Sequence, residues 1–579
     1  MPDEIAVAFA SRAELPIPIA RLRAQGLVSE LRVADLAMTR IEAASLLRVA
    51  GLQLDRAGID ALLHRTEGWP AALALAALAL EGESVPGPAP ARFSGSDRLV
   101  AEYLRDEVLA GLSDEELRFA VHTSVLEVLT APLCDAVLET SGSADMLARL
   151  HASNFPLVAL DRTAERYRHH RLLRDMLRAE LRRSEPQLEA ELHRRASSWH
   201  VREGDRERGL QHALAAHEVA HAGDLVWSGI PASLEQGSVA TVEHWLSRFT
   251  DAQIAADPRL ALAAAGAHLA HGQGHLAEHW LVAAGASEDS DVAGGAAALR
   301  AALGRDGLTR MGEEAAHASA LLGAENPGQA LCRMIGGIAD HLGGRREAGR
   351  EQIEEGARRA AVLAPHVHAL CLAQLALIAL DEDDSENAVR LITRARAQVT
   401  RYGLARYPSS ALALAVSALV RAQRGRVEEA HEDAREAADL LEQLTDVAPW
   451  YVIEVQILLG RAALRLSDVN DARARLADAG RMTARLPERG VLDDWLQAAE
   501  ADLATFTRAD SRLPASLTTA ELRILQYLPT HLSFREIAER TYVSANTVKT
   551  QANAVYRKLD VRSRSEAVTS ARELGLLDA

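Results

Sequence analysis

Lysine is nearly absent from this chain. Among 579 residues only Lys549 and Lys558 occur, both in one short stretch near the C-terminus, and every other basic side chain is arginine or histidine. No part of this sequence can therefore be a Walker A loop, because G-x-x-x-x-G-K-[ST] needs a lysine on the β- and γ-phosphates. Cysteine is scarce too. Cys134, Cys332 and Cys371 are far apart and odd in number. That excludes a disulfide framework and a C-x-x-C zinc site, and leaves buried thiols in a reducing compartment. Aromatic residues are only 4% while hydrophobic residues reach 48%. A core so poor in rings is built from Ala and Leu, which favours helices packed closely on small residues. The longest uncharged apolar run, Trp69 to Leu80, is short of the roughly 20 residues that cross a bilayer. The N-terminal Met-Pro-Asp-Glu is acidic and lacks a signal-peptide charge pattern. A cytoplasmic protein without a membrane partner is expected.

Charge is distributed unevenly. The net value is −17, yet from Ser511 onward ten Lys and Arg face seven Asp and Glu, a net of +3 that leaves −20 elsewhere. An acidic body with a small basic tail fits a regulator whose one compact module touches DNA. A chain of this length holds about three to five domains.

Ile5 to Ala10 reads as one buried strand, followed by Ser11-Arg12 and by helices from about residue 40, so residues 1–80 read as a piece of α/β or helical domain. Gly82 to Ser96 reads as a linker. Over 97–200, amphipathic helices are followed by a hairpin, Asn154 to Asp161 and Tyr167 to His170, an order that fits a winged helix. From about 205 to 505 the pattern is helical and repetitive. A small residue recurs five positions before an alanine in Gly272/Ala277, Gly343/Ala348, Asp383/Ala388, Gly425/Ala430 and Ser467/Ala472. The intervals are 71, 40, 42 and 42, with one unit missed inside the first. Paired-helix repeats show this spacing, and their superhelix offers a concave surface to a ligand or partner. A plain helical bundle is the competing reading. Thr507 to Ser516 reads as a second linker.

Two histidine patterns invite a metal. His217-Glu218-Val219-Ala220-His221 is a literal H-E-x-x-H. Gly223 is out of place for the longer metalloprotease motif, no further His follows, and only Glu243 stands at a tolerable distance as a third ligand. His268, His271, His275 and His279 share a helical spacing that Gly272 and Gly274 interrupt. Neither is taken as a metal site. G-x-S-x-G, a Cys/His nucleophile arrangement and isolated carboxylate pairs are missing as well, so no catalytic residue is expected.

After Ser516 four short helices can be read. Thr518 with Glu521, Ser533 with Glu536 and Ser563 with Glu566 spell capping boxes, and Ser544 is the N-cap of the third helix. Val548, Val555 and Leu559 mark the apolar face of that helix; Lys549, Asn553 and Arg557 form a polar stripe, with Thr550 beside it. A short polar and basic stripe is what reading a major groove requires.

Leu517-Thr-Thr-Ala-Glu521, Ser533-Phe-Arg-Glu536-Ile-Ala538, Thr547-Val548-Lys549, Tyr556-Arg-Lys-Leu559 and Glu566-Ala-Val568 resemble the LuxR-type helix-turn-helix over 517–577. The resemblance implies that the third helix is the recognition helix and that the fourth supports dimerisation. It places Lys549, Thr550 and Asn553 at the groove, with Thr547 and Arg557 at phosphates; Lys558 joins them as a DNA-binding candidate. Gln551 and Thr530-His531 depart from the family pattern, which has His and a Gly-containing turn there.

The N-terminal half is similar to the large MalT-like regulators, signal-transduction ATPases with a LuxR-type tail. Arg65-Thr66-Glu67-Gly68-Trp69-Pro70, Tyr167-Arg168-His169-His170-Arg171-Leu172-Leu173 and His193-Arg194-Arg195-Ala196 carry that resemblance. In such proteins a bound nucleotide holds the ATPase and winged-helix domains shut, and an inducer on the repeats opens them. This sequence lacks the phosphate cradle, so no cofactor is expected. Gly68-Trp69-Pro70 and His170 stand where that family has hinge and phosphate-sensing elements; here Trp69 reads as a core anchor and His170 as a buried polar residue. Either the protein is natively shortened or its true start lies upstream.

The expected organisation is mainly α. It comprises a remnant of the ATPase domain over 1–81, a winged-helix-like domain over 97–200, TPR-like helical repeats over 205–505 and a four-helix LuxR-type module over 512–579. The expected function is sequence-specific DNA-binding transcriptional regulation without enzymatic activity. Double-stranded DNA, an inducer on the repeats and a second copy of the chain are expected partners, with RNA polymerase a further candidate. Two alternatives stand beside this: an ATP-dependent switch if the start lies upstream, and a helical-repeat scaffold with a vestigial DNA-binding module.

Overall fold

The computed structural model describes residues 7–10, 19–31, 33–80, 93–153, 155–285, 287–512, 517, 519–530, 532–541, 545–574 and 576–577. The chain divides into two compact units, 1–225 and 226–579.

In the first unit, helices Arg40–Val49, Arg56–Thr66 and Pro70–Leu80 pack through Ala43, Leu47, Leu62, Leu73 and Ala76. Thr39 and Glu42 form a capping box at the first of these, and Asp55 caps the second. Residues 7–10 form no strand, and Ile5, Ala6 and Ser11-Arg12 lie outside the described residues. Most of the first linker lies outside as well, but its end is anchored. Phe93 is buried. A Cβ on Gly95 would stand 1.7 Å from the Leu172 carbonyl oxygen, so only glycine permits this approach.

The expected hairpin forms. Strand β1 (Leu157–Ala159) pairs antiparallel with β2 (Tyr167–His169), in the register Leu157 to His169 and Ala159 to Tyr167. Helices Asp114–Thr123, Ala131–Leu138 and Ser143–Ala152 precede it, and Arg171–Ser184 follows. Together they make the winged-helix arrangement.

Glu67 ties the N-terminal helices to this wing. It ends its helix in the left-handed region at φ 52°. Its carboxylate accepts two hydrogen bonds from Arg168, at 2.6 and 2.8 Å, and one from the Arg171 backbone N–H at 3.3 Å. Burial alone would raise the Glu67 pKa; the Arg168 hydrogen bond and the His170 and Arg168 charges outweigh it and hold it below the usual range. Trp69 stands edge-on to Tyr103 and His170, at 5.7 and 5.6 Å between ring centres. His170 is buried and donates from Nε2 to the Thr66 carbonyl at 3.2 Å. Both residues thus take part in packing the helix end against the wing.

Paired helices fill the second unit, and the first pair lies at the end of the first unit. Pro186–Arg202 packs on Arg206–Ala215. In the second unit Pro258–Ala270 packs on Gly274–Ala284, Gly328–Leu342 on Arg346–Leu363, Pro365–Asp381 on Ser385–Arg401, Ala411–Gln423 on Val427–Leu441 and Pro449–Arg465 on Val469–Thr483. Positive φ marks the turns at Gly272, Asp383, Gly425 and Ser467, as the spacing predicts. Five residues later Ala277, Ala388, Ala430 and Ala472 are each fully buried against the preceding helix.

The remaining expected turn is displaced by one residue. Gly344 has φ 88°, and Gly349, not Ala348, is the buried partner. A Cβ on Gly349 would lie 2.7 Å from the Gly337 carbonyl oxygen. Two small residues adjoin at both places, so spacing alone could not choose between them. The missed unit is Ser290–Leu303 with Leu308–Leu321, which turns through both Gly304 and Gly307. The second linker is shorter than expected, because helix Val491–Arg512 runs through Thr507 and 513–516 lie outside the described residues.

The histidine patterns do not assemble as metal sites. His217 sits in a turn at φ 60°, ahead of the helix Val219–Glu235, so its ring is not one helical turn from His221. Glu218 pairs with Arg194 at 2.5 Å. His268 Nδ1 meets Gln273 Oε1 at 2.7 Å and His271 Nε2 stands 2.9 Å from Glu243; both precede the turn at Gly272, whereas His275 and His279 follow it. All three cysteines are buried free thiols, and burial pushes Cys134 up to about 12 and Cys332 up to about 11.

Between the repeats, Glu454 is fully buried and accepts one hydrogen bond, from Gln374 Nε2 at 2.7 Å. Burial pushes its pKa up to about 8, with the nearby Asp381 charge acting in the same direction. The folded chain therefore holds a proton that the unfolded chain releases near 4.5. Stability from this group is full below that value and falls as pH rises toward 8. Glu454→Gln keeps the acceptor for Gln374 and removes the titration. The repeat melting transition of the variant should match wild type near pH 5 and exceed it at pH 8; an equal fall with pH in both proteins would contradict this.

Candidate nucleic-acid interface

Four helices form the C-terminal domain: Thr519–Tyr527, Phe534–Thr541, Ala545–Lys558 and Arg564–Glu573. They enclose their own core of Leu522, Leu525, Ile537, Val548, Val555 and Ala567, among others. Ser533 and Glu536 make the expected capping box, with Ser533 N–H to Glu536 Oε2 at 2.8 Å. Ser563 caps the fourth helix, but Glu566 reaches one residue further back, to the Arg562 N–H at 2.9 Å. The expected caps Thr518 and Ser544 lie outside the described residues.

The third helix is sided. Val548, Ala552 and Val555 are fully buried. At about 100° per residue, Lys549, Thr550, Asn553 and Arg557 fall between about 100° and 200° from Val548. All four are exposed. Thr550, exposed on this face, donates its hydroxyl back to the Asn546 carbonyl at 2.8 Å, which fixes its side-chain rotamer. This face is a continuous strip of one lysine, one arginine, one amide and one hydroxyl. Such groups can donate to guanine N7 and O6, pair with adenine, and bind phosphate oxygens.

The other two expected residues lie elsewhere. Thr547 and Lys558 fall on the opposite flank, about 80–100° from Val548 in the other sense. Both are half-buried and engaged within the protein. Lys558 Nζ stands 2.5 Å from Glu521 Oε2, in an ion pair whose side chains are 17% and 10% exposed. Lys558 thus fastens the end of the third helix to the first and does not share the outward face. Nine residues separate it from Lys549, and that spacing turns a helix by about half a revolution.

Arg564, with Ser563, belongs to the run that resembles the LuxR-type module, but sequence reasoning gave it no role. Its guanidinium donates to four carbonyls in the turn between the first two helices: Leu532 and Thr530 at 2.6 Å, Leu528 at 2.9 Å and Tyr527 at 3.2 Å. An arginine in the first turn of a helix opposes the helix dipole, so its place beside Ser563 was the available signal. This clamp holds a turn that lacks the family's glycine. The first helix also touches the repeats, through Arg523 to Glu428 and Gln526 to Ser467, both at 3.4 Å.

Residues 105–189 match the MalT winged helix domain, and residues 515–571 match the bacterial regulatory proteins of the luxR family. The chain is similar to the serine/threonine-protein kinase PknK of Mycobacterium tuberculosis, 34% identical over 260 residues, which are 45% of this chain and 23% of that protein. It is similar to the HTH-type transcriptional regulator AlkS of Pseudomonas putida, 28% identical over 39% of this chain and 25% of the relative. It is also similar to the regulator MalT of Vibrio parahaemolyticus, 25% identical over 45% of this chain and 29% of the relative. The matched regions span only about a quarter of these relatives' lengths. A signal-transduction ATPase with a tetratricopeptide-repeat sensor from Pyrococcus horikoshii aligns with 94% of this chain and 75% of its own, at 14% identity and TM-score 0.48. The chain joins a MalT-type winged helix to a LuxR-type C-terminal domain.

Arg564→Ala would leave four turn carbonyls without their charged donor. A loss of about 1.5–3 kcal/mol is expected for that domain, the range for hydrogen bonds to a charged group. Amide exchange in the full chain checks it: Phe534–Thr541 should exchange faster in the variant while the repeats stay unchanged. Unchanged exchange in that helix would contradict the clamp.

Proposed function

For a MalT-like chain with a LuxR-type domain, we propose sequence-specific DNA binding in the service of transcriptional regulation. The observation that carries the reading is the outward strip of the third helix, where Lys549, Thr550, Asn553 and Arg557 stand together opposite a fully buried stripe. The helix enters the major groove. Lys549 and Asn553 meet base edges, Thr550 packs beside them, and Arg557 binds a phosphate. Thr547 and Lys558 act through the domain's own structure.

One domain covers a half-site, so two copies of the chain bind together, with the fourth helix available for pairing. The helical repeats over 205–505 receive the signal, an inducer of unknown chemistry, and RNA polymerase is the downstream partner. The protein works in the cytoplasm and not as an enzyme. The acidic body supports the assignment of contacts: it repels DNA, so the approach is confined to the basic module.

Two variants separate reading from scaffolding. Lys549→Ala should cost about 1–3 kcal/mol of binding and relax site discrimination. Lys558→Ala should lower the melting transition of the C-terminal domain and keep the ratio of specific to random-DNA affinity. Fluorescence anisotropy with the full chain, over a salt series, measures both. Equal discrimination by Lys549→Ala and wild type would overturn the proposed readout.

A further inference from the structure

A cavity of about 160 Å³ lies in the first unit, where the winged helix meets the first helical pair. Its lining is strongly basic. Helix Arg171–Ser184 contributes Arg174 and Arg178, one turn apart; Pro186–Arg202 contributes His193 and His200; Arg206–Ala215 contributes Arg208 and His212. The remaining wall is the segment from Val125 to Val128 with Leu133, Gln211 and Ala215.

Two of its arginines have acidic neighbours. Arg178 stands 3.6 Å from Glu189, which Arg182 shares at 3.7 Å, and Arg208 pairs at 3.0 Å with Asp205, which also stands 3.9 Å from His200 Nδ1. Arg174 has no carboxylate within ion-pair distance among the described residues. Glu127, the one acidic residue in the lining, is exposed. The Nε atoms of Arg174 and Arg178 are buried without a hydrogen-bond partner.

Three histidines line the same cavity. His193 is 3% exposed; its Nδ1 meets His212 Nδ1 at 2.7 Å, while its Nε2 is buried with no partner. His200 stacks on His212 at 5.5 Å between ring centres. Burial first, and then the neighbouring arginines, push His193 down to about 4. For His212, burial and then His193 and His200, ahead of Arg178 and Arg208, push it down to about 3. Two buried arginine Nε–H donors lack acceptors, and His193 Nε2 is a third in the tautomer whose Nδ1 accepts from His212 Nδ1–H; a negative guest would satisfy them.

We propose that this cavity binds a phosphate-type oxyanion, with Arg174 and Arg178 as charged donors and the His193 Nε2–H completing the cradle. Such a group offers several acceptor oxygens, and two arginines with an imidazole supply matching donors. Free phosphate and the phosphate group of a small monoester share this chemistry. The site lies outside the DNA-binding face, and its test is independent of that reading.

Calorimetric titration of the full chain with inorganic phosphate, against chloride at equal ionic strength, tests the site. One-site binding and a melting transition of the first unit raised by several degrees are expected at saturating phosphate. Arg174→Met and Arg178→Met should each weaken binding at least about tenfold, as expected from losing a charge-assisted bond. Gln211→Glu covers the case in which those variants fold poorly. Gln211 lines the same cavity, so a carboxylate there should settle against the arginines and abolish phosphate binding in a folded protein. Ribose 5-phosphate discriminates the sources: tighter binding than phosphate assigns a monoester, weaker binding assigns the free ion. No heat and no melting shift beyond chloride would overturn the proposal. Equal binding by wild type and Gln211→Glu would do the same, by placing the ion elsewhere as an adventitious ion only.

Discussion

The close approach of paired helices is the constraint on which the long helical body depends. With so few aromatic side chains, the helices cannot be held apart by bulk and must meet at short range. The pattern is visible at most of the turns, the one through Gly304 and Gly307 excepted. One residue takes a left-handed conformation, and the residue five later is Ala or Gly with no exposed surface, as at Gly272/Ala277, Gly344/Gly349 and Gly425/Ala430. Gly349 shows the limit, since even a methyl group would strike the Gly337 carbonyl. Leu and Ile then fill the layers between pairs. A buried Asp433, held by Ser417 at 2.7 Å and by Arg421 at 2.9 Å, fixes one such layer, and removing a partner from a buried pair of this kind is strongly destabilising.

Charge is divided along the same lines. Arginine serves nearly all internal pairing, because its planar fork can satisfy a carboxylate or several carbonyls at once. Glu67 with Arg168 and Arg564 with its four carbonyls are the clearest cases. The two lysines divide by position. Lys549 faces outward and Lys558 faces Glu521, although the two lie on one helix. The basic cavity near His193 is the exception in the acidic body, and it stands out because buried donors in its lining lack acceptors.

Much of this was legible in the sequence where periodicity or capping is strong. The hairpin, the sided third helix, the box at Ser533 and Glu536, and most of the repeat turns follow from local rules. What escaped depended on distant partners or on ambiguity between neighbours. Gly343 and Gly344 are equivalent on paper, and only packing selects the second. Lys558 matched a motif, but its direction follows from the turn of the helix and from Glu521, many residues earlier. Arg564 bonds to a turn more than thirty residues away, at Leu528 to Leu532, and no spacing rule joins the two. The cavity draws its residues from helices and a loop between Val125 and Ala215, so its histidines and arginines read separately as ordinary helix residues.

Selection of bound duplexes from a random-sequence library by the full chain tests the central claim most directly. The account predicts convergence on one motif of two related half-sites, arranged about a two-fold axis and spaced by about one turn of DNA or a multiple of it. Recovered sequences no more alike than the starting library would contradict it, because an outward face that binds DNA without selecting a sequence is not a recognition surface.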